Sequence, residues 1–117
     1  MSAALRILVV EDEPLIAMML EDFLDILGHA VVGAADNVGD ALTAIDAREL
    51  DAAILDVNLR DGETCWPVAD KLVERGIPFV LATGGSGNSI AERYRNRPTL
   101  GKPFTMDGVK RVLAALT

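Results

Sequence analysis

The chain has 117 residues, half of them hydrophobic and 4% aromatic, with a formal net charge of −7 and a single cysteine. That length fits one domain over residues 1–117 with a largely aliphatic core, and the acidic balance speaks against a nucleic-acid surface, which needs clustered Lys and Arg. No apolar run approaches the ~18 residues of a membrane span, no basic-then-apolar leader is visible, and Cys65 cannot form an internal disulfide, so a cytoplasmic protein with no membrane partner is expected.

Residues 5–10 read as a first strand, apolar nearly throughout, that runs straight into Glu11-Asp12-Glu13. Pro14 at a first-turn position, then Ile16, Met19, Leu20, Phe23 and Leu27 at helical spacing with Gly28 at the end, predict an inward-packed first helix. His29 has no second ligand near it in sequence and reads as structural or exposed. A second strand over 30–34 is followed by a helix over 38–48 with Ala41, Leu42 and Ile45 on one side. The third strand, 52–55, ends at Asp56 just before a turn-like stretch closing with Asp61-Gly62.

Beyond that turn, Cys65 is expected to be inert and half-buried, and Trp66 to pack or staple the start of a helix over 67–75. Val68, Leu72 and Val73 are that helix's candidates for burial. The fourth strand, 79–82, runs into Thr83. Gly84-Gly85-Ser86-Gly87 then reads as a flexible hinge, since no Gly-Lys-Ser/Thr follows to make a phosphate loop. Residues 88–97 offer only Ile90, Ala91 and Tyr94 for burial, which predicts a short or frayed helix where motion should concentrate. Its Arg93, Arg95 and Arg97 read as a solvated face, with an acidic partner as the minority alternative. A weak fifth strand at 99–100 leads to Lys102-Pro103. The last helix carries Met106, Val109, Val112, Leu113 and Leu116, starts after Thr105 as its cap, and closes the domain.

Strand then helix, about five times over, is the pattern of a parallel sheet covered on both faces, in which ligands bind at the carboxyl edge of the strands. Asp56 stands at that edge as a candidate carboxylate nucleophile. Glu11 and Asp12 suit Mg²⁺, which takes oxygen ligands in near-octahedral geometry. Taken singly, these acids are equally well a helix-start charge or a turn cap. Together they repel one another, and a fold has little reason to gather them without a cation. Thr83 and Lys102 supply a hydroxyl and a point charge for a phosphoryl group, and Lys102-Pro103 is a candidate cis bond that would aim the lysine inward. The set suits metal-assisted phosphoryl transfer onto an aspartate.

The order Val10-Glu11-Asp12-Glu13-Pro14, Leu55-Asp56-Val57-Asn58-Leu59, Ala82-Thr83-Gly84 and Gly101-Lys102-Pro103-Phe104 resembles the response-regulator receiver domains of two-component signalling, over essentially the whole chain. The resemblance implies an α/β fold, a doubly wound five-stranded parallel sheet of order 2-1-3-4-5. It further implies Asp56 as phosphoacceptor, Mg²⁺ held by Glu11, Asp12, Asp56 and the Asn58 backbone carbonyl, Thr83 as switch hydroxyl, and Lys102 on the phosphoryl group. A sensor histidine kinase is the implied phosphodonor. With Met1 and a last helix ending at Thr117, a complete stand-alone receiver is expected, one that signals to a downstream protein or histidine phosphotransferase or drains phosphate from the kinase.

A narrower likeness lies in Pro78-Phe79-Val80-Leu81-Ala82-Thr83-Gly84-Gly85, together with Asp61-Gly62-Glu63 and Trp66-Pro67-Val68-Ala69-Asp70. These stretches resemble alphaproteobacterial single-domain receivers with a Phe-Ala-Thr-Gly motif, with Leu81 replacing that motif's Phe. Arg60 stands where receivers carry Pro, and Thr99 where they carry Tyr or Phe. Output through Thr83 and the loop over 84–88 is therefore expected in place of an aromatic switch. The alternative is a Mg²⁺-dependent phosphohydrolase with an aspartyl-phosphate intermediate, for which the chain has no residues to build a cap or substrate pocket.

Overall fold

The structure is a computed structural model that describes residues 4–84 and 90–116. Strands and helices follow in the order β1 (Arg6–Val10), α1 (Pro14–Ile26), β2 (Ala30–Ala35), α2 (Val38–Ala47), β3 (Ala52–Asp56), α3 (Trp66–Glu74), β4 (Phe79–Thr83), β5 (Thr99–Gly101) and α4 (Met106–Leu116). The strands pair in parallel in the order β2-β1-β3-β4-β5, the doubly wound α/β arrangement expected from the sequence. No helix among the described residues is long and apolar enough to cross a membrane.

Every residue of β3 and β4 is buried, as central strands covered on both faces must be. Side chains alternate across the sheet. Leu8, Val10, Ala53, Leu55, Phe79 and Leu81 enter the core with Ala41 and Ile45 of α2 and Val68 and Leu72 of α3. Ile7, Val9, Ile54 and Val80 enter the opposite core with Leu20 and Leu24 of α1 and Val109 and Leu113 of α4.

Local chemistry sets the ends. Pro14 occupies the first turn of α1, and Gly28, at φ 90°, follows its last turn in a conformation that side chains resist. Asn37 caps α2 by accepting the Asp40 N–H at 2.8 Å, a cap the sequence reading did not single out. Thr105 caps α4 by accepting the Gly108 N–H at 3.0 Å. His29 is structural: its Nδ1 accepts the Leu5 N–H at 3.0 Å, tying the turn after α1 to the start of β1.

Several expectations change. Four strands run one residue further at their carboxyl ends than expected, to Ala35, Asp56, Thr83 and Gly101, because the hydrogen-bond ladder and not hydrophobicity sets the end, as in the pairings of Asp56 with Ala82 and of Thr83 with Gly101. Val73 is 45% exposed; the inward stripe of α3 is Val68, Ala69 and Leu72. Cys65 is wholly buried, and burial pushes its thiol up to about 12. The helix expected over 88–97 reduces, among the described residues, to a 3₁₀ turn at Glu92–Tyr94. Tyr94 alone is fully buried there, one anchor being too few to hold a longer helix against its entropy. Residues 85–88 of the expected output loop lie outside the described residues.

Candidate functional site

Strand register builds the site. Val10 pairs with Leu55, so the next residue of each chain, Glu11 and Asp56, emerges at the same carboxyl edge. Asp56 in turn pairs with Ala82, which puts Thr83 one step beyond it on β4. The Lys102 N–H donates to the Thr83 carbonyl at 2.9 Å and brings the end of β5 to the same place. Asp12 follows Glu11 into the turn before α1.

Carboxylate oxygens of Glu11, Asp12 and Asp56 lie within 4.8 Å of one another. Glu11 and Asp56 are each 5% exposed and Thr83 9%, while Asp12 is half-buried. Lys102 Nζ donates to Asp56 Oδ2 at 2.9 Å and sits 2.9 Å from Glu11 Oε1. The Lys102-Pro103 peptide is cis. Asn58 stands two residues past Asp56, exposed, in an antiparallel bridge with Thr64. The structure thus brings Glu11, Asp12, Asp56 and Lys102 into one cluster, with Thr83 and Asn58 on the adjoining strand end and loop.

Charge in this cluster is unbalanced, with three carboxylates against one amine. Burial pushes the Asp56 carboxyl up to about 7; the Lys102 bond pulls it down and neighbouring Glu11 raises it further. Burial disfavours the charged Lys102 amine, but its bonds to Glu11 and Asp56 outweigh this and hold it above its ordinary value. Glu11 Oε2 accepts the Glu13 N–H at 3.1 Å. Glu11 Oε1 is buried and meets the Lys102 amine at 2.9 Å as an ion pair, with no further hydrogen-bond partner among the described residues. A buried carboxylate oxygen whose one partner is an amine, facing two other carboxylates within 4.8 Å, belongs to the kind of donor set a hard divalent cation takes, so these residues fit Mg²⁺.

Beside the cluster lies an open groove of about 540 Å³ whose charged lining residues are all acidic: Glu11, Asp12, Glu21, Asp36 and Asp40. The sequence reading missed a second polar cluster. Asp70 of α3 binds Arg93 and Tyr94, Trp66 stacks on Tyr94, and Arg97 lies over the Phe79 ring. Of the three arginines read as a solvated face, only Arg95 is merely exposed. Trp66 and Asp70 are four apart and share one helix face, but nothing in the sequence says which part of 88–97 covers them.

Residues 7–111 match the family profile described as the response regulator receiver domain. The solution structure of SdrG from Sphingomonas melonis Fr1 superposes with a TM-score of 0.89 at 61% identity, covering 99% of this chain and 98% of that one. The BeF3-activated conformation of SdrG from Pseudomonas melonis Fr1 gives 0.85 at the same identity and coverage. Among curated proteins, the phyllosphere-induced regulator PhyR of Methylorubrum extorquens is 31% identical over 95% of this chain and 43% of its own. Sensor histidine kinase RcsC of Salmonella typhi is 29% identical over 94% of this chain and 12% of its own. The chain therefore spans less than half the length of these two curated relatives. Motif order, sheet topology and the profile match over most of the sequence agree: this chain belongs to the response regulator receiver domain family.

Proposed function

We propose that residues 1–117 act as a single phosphoacceptor unit in which Asp56 takes a phosphoryl group from a phosphohistidine of a sensor histidine kinase. Glu11, Asp12, Asp56 and the Asn58 backbone carbonyl hold Mg²⁺, and Thr83 and Lys102 bind the phosphoryl oxygens. The observation that carries this reading is the gathering of three carboxylates within 4.8 Å, with Lys102 Nζ already 2.9 Å from Asp56 Oδ2. An Asp56 oxygen forms the new P–O bond as the P–N bond to imidazole breaks, and the electron pair leaves on the imidazole nitrogen. Bound Mg²⁺ neutralises charge on the phosphoryl oxygens. The added charge draws in Lys102 and the Thr83 hydroxyl, a local electrostatic event that biases the adjoining backbone.

The modified protein then signals by contact with a downstream protein or a histidine phosphotransferase, or drains phosphate from the kinase. Kinship with RcsC supports a histidine kinase as donor. The phosphohydrolase alternative finds no support in the family match or in the similar solved structures. Titration with beryllofluoride and Mg²⁺, followed by NMR, tests the reading. Amide resonances of Thr83 and Lys102 are expected to shift only when both are present, and not in Asp56→Asn. An unresponsive wild type would refute it.

A further inference from the structure

The Asp70 cluster joins α3 to the stretch that precedes β5. Arg93 Nε and Nη2 donate to Asp70 Oδ1 at 3.1 and 3.0 Å, Nη2 reaches Oδ2 at 3.0 Å, and the Tyr94 hydroxyl donates to Oδ1. The Tyr94 ring stacks on Trp66, centroids 5.7 Å apart, and meets Phe79 edge-on at 5.5 Å. Arg97 lies 4.7 Å over Phe79. One carboxylate of α3 therefore fastens the chain that links Thr83 to Lys102, and the ends of that link are tied together by the bond from the Lys102 N–H to the Thr83 carbonyl.

The attachment is also shallow. Tyr94 is the one fully buried residue of the stretch 90–97, and the Asp70 side chain is 52% exposed. Solvent-exposed ion pairs are weak, and segments with few buried contacts open at low cost. It forms here with Lys102 Nζ 2.9 Å from Asp56 Oδ2, a contact that a phosphoryl group on Asp56 would take over.

We propose that Asp70 is a latch that holds residues 91–97 on α3 in the resting state, and that its release accompanies phosphoryl uptake at Asp56. Movement of Thr83 and Lys102 toward the phosphoryl group shifts both ends of the latched link, so the latch opposes the modified state. This inference rests on the phosphoacceptor reading, and the two fail in different ways.

The test measures hydrogen exchange of residues 91–97 and the affinity for beryllofluoride with Mg²⁺, in wild type, Asp70→Asn and Tyr94→Phe. Beryllofluoride is expected to speed exchange at 91–97 in wild type. Both variants are expected to exchange faster there without ligand and to bind beryllofluoride about three- to tenfold more tightly, the factor that losing one ordinary or solvent-exposed hydrogen bond supplies to a two-state equilibrium. Tyr94→Phe keeps the stacked ring, so it reports even where Asp70→Asn loosens the fold. Uptake with unchanged exchange at 91–97, or variants that bind no more tightly, overturns the latch alone. A wild type that takes up no beryllofluoride overturns both readings.

Discussion

Val10 pairs with Leu55 in the sheet, and that pairing delivers Glu11 and Asp56 side by side to the carboxyl edge. Two nearly buried acids held together are unfavourable unless neutralised, and the site's remaining features answer that problem: Lys102 between them, and an oxygen set open to a cation.

Protons should report the same imbalance. Asp56 is raised from 3.8 to about 7. A folded-state pKa above the unfolded value contributes stability that is fully present below pH ~4 and is lost as pH rises toward 7. Metal-free protein is therefore expected to lose stability between about pH 4 and 7 and to level off above that, and Asp56→Asn, which has no charge to bury, to be more stable than wild type at pH 8 by about 1–3 kcal/mol. Urea melts across this range check it. Calorimetry in buffers of different ionisation enthalpy should show Mg²⁺ uptake releasing protons at pH 6 and few at pH 8.

Removing the lysine should cost more than removing a surface charge. Lys102 is 18% exposed and touches both acids. Lys102→Met leaves Glu11 and Asp56 facing each other uncompensated, with an expected loss of about 2–4 kcal/mol in metal-free protein. Saturating Mg²⁺ should restore part of it. Denaturant midpoints with and without the ion measure both effects.

On α3, adjacent positions should behave oppositely. Leu72 is wholly buried, whereas Val73 is 45% exposed. Leu72→Ala is expected to cost about 2–5 kcal/mol, and Val73→Ala within about 0.5 kcal/mol of neutral. The comparison tests the corrected inward stripe directly.

Helix caps give a fourth stability check. Asn37→Ala and Thr105→Ala each remove an acceptor from a first-turn N–H, and each should cost about 1 kcal/mol. Their effects should add, since they cap different helices.

The sheet was legible because its buried strands are continuous apolar runs, and the site because Glu11, Asp56 and Thr83 each follow such a run. Strand ends were read one residue short because hydrophobicity stops at Leu55 while the hydrogen-bond ladder includes Asp56. Val73 misled because helical period alone leaves a choice between Ala69 and Val73, which packing against the sheet decides. The 3₁₀ turn at Glu92–Tyr94 and its hold on Asp70 were illegible for a further reason. They depend on contacts some 23 residues apart in sequence, and neither partner's local pattern announces the other.

The most direct test of Asp56 as acceptor is intact-mass measurement after incubation with acetyl phosphate. Wild type should gain one phosphoryl group, only with Mg²⁺ present, and Asp56→Asn none. Labelling that is indifferent to Mg²⁺, or that persists in Asp56→Asn, would contradict the site as described.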